Sequence, residues 1–459
     1  MSEKNSSTFL YLAVFCVNLY TFCTCNAYTW SSPSLPILHS NNTDINPLRR
    51  PITNLEESWI LSLQLLGSVV GTLLSGLFSK KFGSKKSLII ASVPFIIGYI
   101  IIAHSKSIVL FYIARFLTGI SAIFSMGLIP SYVAEISQDH NRGILSSLTG
   151  TTICLSNLMN YGIGPLLSIQ TMAYIGLSIM VIFLITFVPF VPESPYRYMQ
   201  IQKNERAEKC LKKFRGNSDV KNEMENVYNL LSHERVENQN IFKDIVTSSS
   251  TKRALIICCT LILCQIFMGY SFLAVYLQTV IEATDDTIPY YAVTMTVGVL
   301  QTFSGILCGS LVDKLGRKIL MYISAVGCSV SMFSLSIYFF LKIREYNIDS
   351  MFWLPLVTLS MFFVFFCLGM GIIPIILTGE LYSPNVKSVC LSITFMFSMG
   401  SAFLYTAAIP FVLNIFGIDV MFCVCGIVSI LAVIFLKIFV PETKGRSFEE
   451  IQILLGSKK

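Results

Sequence analysis

The sequence has few charged residues for its length, since Asp, Glu, Lys and Arg make up 13% of its 459 residues. Soluble domains carry about 25% of these four residue types. Hydrophobic residues reach 54%, and the mean hydropathy is +0.67. An apolar surface of this size is favoured in lipid and not in water. The composition therefore excludes an ordinary soluble domain and indicates a membrane protein.

Patterns typical of metal sites and enzymes are also missing from the sequence. The four histidines do not show a metal-ligand spacing: His39, His104, His140 and His233. We find no phosphate-binding loop and no catalytic triad pattern. The 14 cysteines lie mostly inside apolar runs, where cysteine packs as a small hydrophobic residue. We therefore predict no metal, no cofactor and no enzymatic activity.

Long apolar runs recur along the whole chain. About 20 helical residues cross a bilayer core that is about 30 Å thick. The runs are continuous and do not alternate, which favours helices over a barrel. They predict an all-α membrane protein with twelve transmembrane helices at 9–29, 57–79, 86–104, 107–134, 143–167, 170–191, 253–280, 288–312, 318–341, 351–381, 388–415 and 418–440. The first run follows a single lysine and lacks a clear cleavage site, so we expect it to be retained.

Basic residues are distributed unevenly over the loops between these runs. If both termini are cytoplasmic, the basic residues of the outside loops are Arg49, Arg50, Lys106, Lys342 and Arg344. Most of the other basic residues are then cytoplasmic, as the positive-inside rule requires. The net charge of +7 is thus a topological signal and does not indicate a nucleic-acid partner. We expect a multi-pass plasma-membrane protein with an N-glycosylation sequon at Asn41, in the first outside loop.

Three short sequence motifs, called phrases below, occur twice, in the same order and at corresponding places among the predicted spans. GLFSKKFGSKK begins at Gly76 and GSLVDKLGRK at Gly309. In each half, a glutamate followed by a basic residue comes next along the chain. The motif VPES or VPET then stands at the end of the half. The repeats predict two pseudo-symmetric six-helix halves, 1–191 and 253–440, with a cytoplasmic linker at 192–252 and a tail at 441–459. In the linker, NERAEKCLKKFRG predicts an amphipathic helix on the membrane face, with a solvated linker as the alternative.

These phrases resemble the sugar porter family of the major facilitator superfamily over nearly the whole chain. The most specific are PESP at 192–195, GELYSPNVKS at 379–388 and PETKGRSFEEI at 441–451. The stretches AYTWSSPSLPIL at 27–38 and ESWILSL at 57–63 look most like insect facilitated trehalose transporters. The resemblance implies the major facilitator fold, in which a solute binds between the two halves and the halves rock around it.

The resemblance also indicates solute-binding positions, although several differ from the family pattern. The seventh-span phrase QQLSGIN keeps its first glutamine as Gln265 but has Ile266 and Ser271 at two other polar positions. The tryptophan of GPIPW is replaced by Ile375. A sugar needs hydroxyl and amide partners beside an aromatic ring. The remaining candidates for hydrogen bonds are Gln265, Ser271, Tyr276, Gln301 and Ser398, and helix packing is the alternative role for each of them.

Charged residues at the predicted cytoplasmic ends of the spans form a second candidate site. They are Glu135, Arg142, Glu193, Asp313, Arg317, Glu380, Lys387 and Glu442. The resemblance implies that such residues form ion pairs that hold the cytoplasmic side closed. The alternative is that they cap helices and mark topology. Lys80 and Ser84 stand where the second half has Asp313 and Arg317, so we expect the second half to supply more of this network.

The interiors of the predicted spans contain no Asp, Glu or His, which favours a uniporter over a proton symporter. We therefore expect facilitated transport of a sugar, trehalose or a hexose, by alternating access. A nutrient sensor that binds without transporting is one alternative. A facilitator of a less polar solute is another, because Ile266, Ile375 and Met399 replace polar or aromatic residues. The partners expected are a small-molecule solute and the lipid bilayer, and the sequence does not predict an oligomeric state.

Overall fold

The computed structural model describes residues 8–138, 141–216, 220–221, 223–225, 227–228, 248–284, 290–346, 348–382, 384–444 and 448–456. Within these ranges the chain is mostly helical and has no β-strand. The first half consists of α1 (Thr8–Thr29), α2 (Ser31–His39), α3 (Asn54–Phe82), α4 (Ser84–His104), α5 (Ile108–Ile136), α6 (Arg142–Gly162) and α7 (Ile169–Phe190). The described part of the linker contains α8 (Pro195–Gln200) and α9 (Asn204–Arg215).

The second half repeats this arrangement. It consists of α10 (Ser249–Gln265), a π-helical turn (Ile266–Tyr270), α11 (Ser271–Glu282), α12 (Tyr290–Leu315), α13 (Arg317–Ile343), α14 (Leu354–Leu368), α15 (Ile373–Leu381), α16 (Pro384–Phe416) and α17 (Ile418–Phe439). A last helix in the tail, α18 (Phe448–Gly456), packs against α10 and α15. Three spans are therefore each built from two helical segments: α1 with α2, α10 with α11, and α14 with α15.

The structure places helices at all twelve predicted spans and confirms the all-α class. Eleven helical segments of the described chain are long and apolar enough to cross a membrane. The remaining span is α6, whose 21 residues extend about 31 Å. Its sequence is less apolar because it contains many polar residues. Several of these side chains form hydrogen bonds to α1. Ser156 Oγ donates to the Phe22 carbonyl at 2.8 Å, and Asn160 bonds to Asn26 at 3.1 Å.

The repeated phrases form the same helix cap in both halves. Gly83 and Gly316 precede α4 and α13 with φ of 85° and 92°, a region that favours glycine. Glu193 accepts from the Lys85 amide at 3.0 Å, and Glu442 accepts from the Arg317 amide at 3.1 Å. A Cβ at either glycine would lie 2.7 to 3.0 Å from an oxygen of that glutamate. Each carboxylate thus sits at the positive end of a helix, which explains why the glycine phrase recurs with VPES or VPET.

Two faces of the bundle are named for the rest of the description. The linker face carries these two caps and residues 192–215. The loop face, at the opposite end, carries the loop at residues 40–53 between α2 and α3. The halves pack together through α3 with α16 and α6 with α12, and α2 packs on α11 near the loop face.

The linker helix α9 packs against other parts of the protein. Its apolar side chains are buried, among them Ala207, Cys210, Leu211 and Phe214. The Phe214 ring lies 5.5 Å from the ring of Phe9 at the start of α1. Burial raises the pKa of the Cys210 thiol to about 12. The side of this helix that was expected to face the membrane is therefore covered by protein, in part by α1 and in part by the linker itself.

Candidate functional site

The middle of the bundle is built around interrupted helices. Between α10 and α11, Gly269 has a φ of 108°, and a Cβ there would lie 2.7 Å from Met332. Between α14 and α15, the chain turns at Gly369, where the Gly371 amide donates to the Phe366 carbonyl at 2.7 Å. Interrupted helices expose backbone groups that can bind polar solutes inside a membrane protein. Both of these breaks lie within the second half of the molecule.

Gln265 links two of these breaks. It is the last residue of α10, and its Nε2 donates to the Gly371 carbonyl at 3.0 Å. The Tyr270 ring stacks on the Phe366 ring with centroids 4.4 Å apart and an angle of 3° between the planes. The two broken spans of the second half are therefore coupled by one hydrogen bond and one stacked ring pair. Gln265 itself is half-buried.

Ser271 and Gln301 lie in the same region. Ser271 is within hydrogen-bonding reach of Tyr28 on α1, which belongs to the other half. Gln301 is 3% exposed, and its Oε1 lacks a hydrogen bond among the described residues. Its side chain neighbours Cys367 on α14. These two residues and Gln265 are the predicted solute-binding residues that the structure brings together.

Tyr276 and Ser398 have other neighbours. Tyr276 is on α11 toward the loop face and faces Glu57 on α3. Ser398 is half-buried on α16 beside Met399, which packs on an apolar cluster of Leu65, Ile262, Ile266 and Ala402. Both halves contribute to this cluster. The position of these two residues fits contacts between the halves as well as contact with a solute.

Aromatic and thiol groups surround the central region, and of these only Tyr270 was singled out from the sequence. The hydroxyl of Tyr270 lies among the side chains of Tyr28, Cys154, Tyr161 and Cys367. Together with Tyr270, these residues come from four different spans, and no local pattern in the sequence connects them. Three tyrosine hydroxyls and their rings can supply the hydrogen bonds and the apolar surface that a sugar requires.

A polar network fixes the broken first span. Asn26 accepts from Tyr99 at 3.2 Å, and Asn160 donates to the Asn26 carbonyl at 2.8 Å and to Thr29 at 2.7 Å. Arg115, which is 2% exposed, donates to the carbonyl of Ala27 at 2.7 Å. The network satisfies backbone groups where α1 ends, so it positions α2 over the centre of the bundle.

The predicted charge network is present in part at the linker face. Arg317 pairs with Glu380 at 3.0 Å, and Thr443 donates to the same carboxylate at 2.5 Å. Glu442 and Glu193 act as helix caps, as the alternative interpretation predicted. Glu135 accepts from Ser131 at 3.1 Å, and Lys387 donates to the Gly379 carbonyl at 2.8 Å. The side chains of Arg142 and Asp313 lie outside the described part of the chain.

Contacts between the halves include several toward the loop face. Ser58 on α3 donates to the Ala407 carbonyl on α16 at 2.7 Å. Thr294 on α12 donates to the Tyr161 carbonyl on α6 at 2.6 Å, and the Tyr161 hydroxyl donates to the Ala274 carbonyl at 3.4 Å. The Arg317–Glu380 pair, by contrast, lies within the second half. The loop face is therefore closed by contacts that join the two halves.

Comparison with known proteins assigns the chain to a family. The profile of the family described as sugar (and other) transporter matches residues 9–455. The chain belongs to this family of transporters. It is 28% identical over 445 residues to a facilitated trehalose transporter of Polypedilum vanderplanki, covering 96% of this chain and 87% of that protein. It is 27% identical over 407 residues to one of Bombyx mori, covering 88% of this chain and 80% of that protein.

Solved structures of sugar transporters share the fold. The inward open conformation of the xylose transporter of E. coli matches with a TM-score of 0.79 at 23% identity, covering 97% of this chain and 99% of that one. Its partially occluded inward open conformation matches with a TM-score of 0.78, covering 96% and 100%. The expected major facilitator fold is thereby confirmed, and the family membership confirms a transporter and not an enzyme.

Proposed function

We propose that the protein carries a sugar, trehalose or a hexose, across the membrane by facilitated diffusion. One observation carries the proposal: the interrupted helices of both halves lie around a buried centre, and hydrogen bonds join the two halves toward the loop face. A solute there would meet the amides of Gln265 and Gln301, the hydroxyl of Ser271, and the tyrosine rings around them. The trehalose and xylose transporters among its relatives support a sugar as the solute.

A uniport mechanism is the simpler form of this proposal. The acidic residues of the described spans lie near helix ends, among them Glu57, Glu135 and Glu380. Proton symport requires an ionisable group along the solute path. The hydroxyl and amide groups of the central region do not titrate near neutral pH, so the solute gradient alone would drive net flux.

The test is uptake of radiolabelled trehalose, glucose and xylose into vesicles that contain the purified full-length protein. We expect saturable uptake of at least one sugar, unaffected by an imposed proton gradient. Absence of saturable flux for every sugar would reject the proposal. Flux that follows the proton gradient would reject the uniport mechanism while retaining the solute class.

A less polar solute is the second candidate, and the lining of the central region favours it. Cys154 and Cys367 present thiols, and Ile266 is buried where the family pattern has a glutamine. Thiols form weaker hydrogen bonds than amides do, and aliphatic side chains form none. In the same vesicles, non-sugar solutes that compete more strongly than any sugar would support this candidate.

We propose that the linker face is cytoplasmic and that the protein resides in the plasma membrane. Asn41 is exposed in the loop at 40–53. Asn46 orders that loop by donating to the carbonyls of Leu38, Ser40 and Arg50 at 2.8 to 2.9 Å. The clustering of basic residues in the opposite loops supports this orientation.

Asn41→Gln is expected to abolish a glycosidase-sensitive shift in gel mobility, because the loop face would enter the lumen of the secretory pathway. The matched control is Asn5→Gln, in a second sequon on the other side of the membrane. It should leave the mobility unchanged. A shift that persists in Asn41→Gln and disappears in Asn5→Gln would invert the proposed orientation.

We further propose that the linker-face charges bias the equilibrium between the two open states. The Arg317–Glu380 pair is partly exposed, with side-chain exposures of 16% and 25%. Such a pair alone contributes about 0–1 kcal/mol. With Thr443 and Glu442, however, it connects the start of α13, the end of α15 and the tail. Repacking of these three segments could therefore change the relative stability of the two states.

Arg317→Ala and Glu380→Ala are each expected to increase the linker-open population by about threefold, as loss of about 0.7 kcal/mol would do. The measurement is the rate at which a membrane-impermeant thiol reagent, added from the linker side, modifies the half-buried Cys259 and Cys264. Lys86→Ala, at an exposed lysine on the same face, is the control. Unchanged rates in both variants would leave these charges with a capping or topological role only.

A further inference from the structure

A groove on the surface of the bundle lies between α12 and α14. Six of its seven lining residues are apolar, among them Leu300 on α12 and Leu356, Met361 and Phe365 on α14. Its volume is about 380 Å³, which is within the range of small-molecule sites. The groove is open on one side, where Val357 is 40% exposed. Its shape and lining therefore suit an apolar ligand that approaches from outside the bundle.

The groove lies within one leaflet of the membrane. Both helices begin at the loop face, and the exposed residues Phe352 and Trp353 stand directly before α14, where aromatic residues mark a bilayer interface. From Trp353 the helix extends about 5 Å to Leu356 and about 18 Å to Phe365. Half of a bilayer core is about 15 Å thick. The groove therefore has the depth of one lipid chain, and lipid is the medium at its open side.

A smaller cavity continues the groove to the loop face. Leu356 lines both of them, and the smaller cavity is also lined by Phe352 and by Thr284, just after α11. Lys342, near the end of α13, donates from Nζ to the Ala283 carbonyl at 2.9 Å and to the Thr284 carbonyl. The ammonium group is thus held beside the mouth of the groove, at the level of lipid headgroups.

The side chain of Lys342 can bind an anion at this point. An ammonium group has three N–H donors, and two carbonyls are its partners in the described part of the chain. Arg344, two residues further on, is directed elsewhere, since its guanidinium lies 4.3 Å from the Phe340 ring. A phosphate oxygen accepts strong hydrogen bonds from a charged donor. The third donor of Lys342 therefore suits a phosphate at the mouth of the groove.

Acidic residues near Lys342 restrict the kind of headgroup. Glu282 directly precedes Ala283, Glu345 comes three residues after Lys342, and both glutamates are exposed. Their carboxylates disfavour a headgroup with net negative charge, and they favour an ammonium group beside the phosphate. A zwitterionic headgroup carries both of these charges. The surroundings of Lys342 therefore favour a zwitterionic phospholipid over an anionic one.

We propose that the groove between α12 and α14 is a binding site for a zwitterionic phospholipid. One acyl chain lies in the groove beside Leu300 and Met361, and the phosphate accepts a hydrogen bond from Lys342. The bound lipid joins the loop-face ends of α11 and α13 to α12 and α14. The proposal does not depend on which solute the protein carries.

The test uses the full-length protein in detergent and a phosphatidylcholine with a photoreactive group in one acyl chain. After illumination, the labelled residues are mapped by mass spectrometry at increasing lipid concentration. We expect labelling of the groove residues to saturate. Labelling of the exposed face of α13, at Val326 and Val330, should rise in proportion to the lipid added. A groove that is labelled without saturation, as that face is, would overturn the site.

Unlabelled competitors test the headgroup on the unmodified protein. Phosphatidylcholine should displace the probe, and diacylglycerol, which lacks the phosphate, should require about tenfold more. Phosphatidylglycerol should compete less well than phosphatidylcholine, and inorganic phosphate should not compete. Equal competition by diacylglycerol would contradict the phosphate contact, and equal competition by phosphatidylglycerol would contradict the zwitterionic headgroup. Displacement by inorganic phosphate would show an anion site that needs no lipid chain, and would also overturn the proposal.

Variants test the two parts of the site separately. Lys342→Gln should raise the half-saturating lipid concentration about tenfold, and Arg344→Gln should leave it unchanged. Val357→Trp fills the groove and should abolish saturable labelling, whereas Val326→Trp, at a valine of similar exposure on α13, should not. Equal effects within either pair would contradict the proposal. If Lys342→Gln fails to fold, the competition experiment on the unmodified protein still decides the question.

Discussion

A methyl group added at Gly119 is expected to lower the stability of the transporter by about 3 kcal/mol, the upper end of the usual effect of overpacking. Gly119 lies on α5 where it crosses α3, and a Cβ there would be 1.9 Å from the Gln64 carbonyl oxygen. The contact is with backbone, so a change of rotamer cannot relieve it. The helices would have to separate, and the bond from Ser68 to the Gly119 carbonyl, now 3.0 Å, would lengthen.

The Gly119→Ala effect is measured as the loss of monodisperse protein after heating in detergent, together with surface abundance. We expect a clearly lower midpoint temperature and several-fold lower abundance. The matched control is Gly127→Ala on the same helix, where a Cβ would meet no atom within 4 Å. Equal stability of the two variants would show that α3 and α5 do not depend on this close approach, contrary to the small-residue packing typical of membrane helices.

Replacing Arg115 by methionine is expected to cause the second large effect, a loss of about 4 kcal/mol. The guanidinium donates to the carbonyls of Ala27 at 2.7 Å and Ile60 at 3.2 Å, and it lies 5.0 Å from the Trp30 ring. Loss of two buried hydrogen bonds from a charged donor costs about 1.5–3 kcal/mol each, and loss of a desolvated cation–π contact adds to this. The break between α1 and α2 would lose its anchor.

The variant Arg115→Lys distinguishes the effect of the positive charge from the effect of the guanidinium geometry. A lysine keeps the positive charge but cannot reach two carbonyls and stack on a ring in one arrangement. We therefore expect an intermediate midpoint temperature and reduced solute flux, since α2 would be less firmly held. If Arg115→Met were as stable as the parent protein but did not transport, the arginine would serve transport and not the fold.

Hydropathy was sufficient to predict the spans because lipid requires about 20 apolar residues in each crossing. Even so, α6 shows the limit of this signal, since its serines, threonines and asparagines make it the least typical span. The repeated phrases were equally informative. They predicted two halves with the same plan, but only the structure shows that Glu193 caps the helix after Gly83 and that Glu442 caps the helix after Gly316.

The candidate site was predicted less completely. Gln265 was identified from a resemblance, and the structure places it at the centre, where it also bonds to Gly371. Tyr28, Tyr161 and Cys367 were not identified, because their proximity depends on how four spans pack. Tyr276 was predicted to contact the solute; the structure shows it buried on α11, and its role stays a prediction.

The sequence by itself determined that this chain is a membrane protein, that it has twelve transmembrane spans, and that its two six-helix halves have the same arrangement. These properties follow from apolar length and from phrases whose residues act locally. Only the tertiary structure decided which polar groups meet: His39 with Glu57, Gln265 with Gly371, and Arg115 with two carbonyls from different helices. The reason is physical, since inside a membrane a polar side chain takes the partner that helix packing brings within reach.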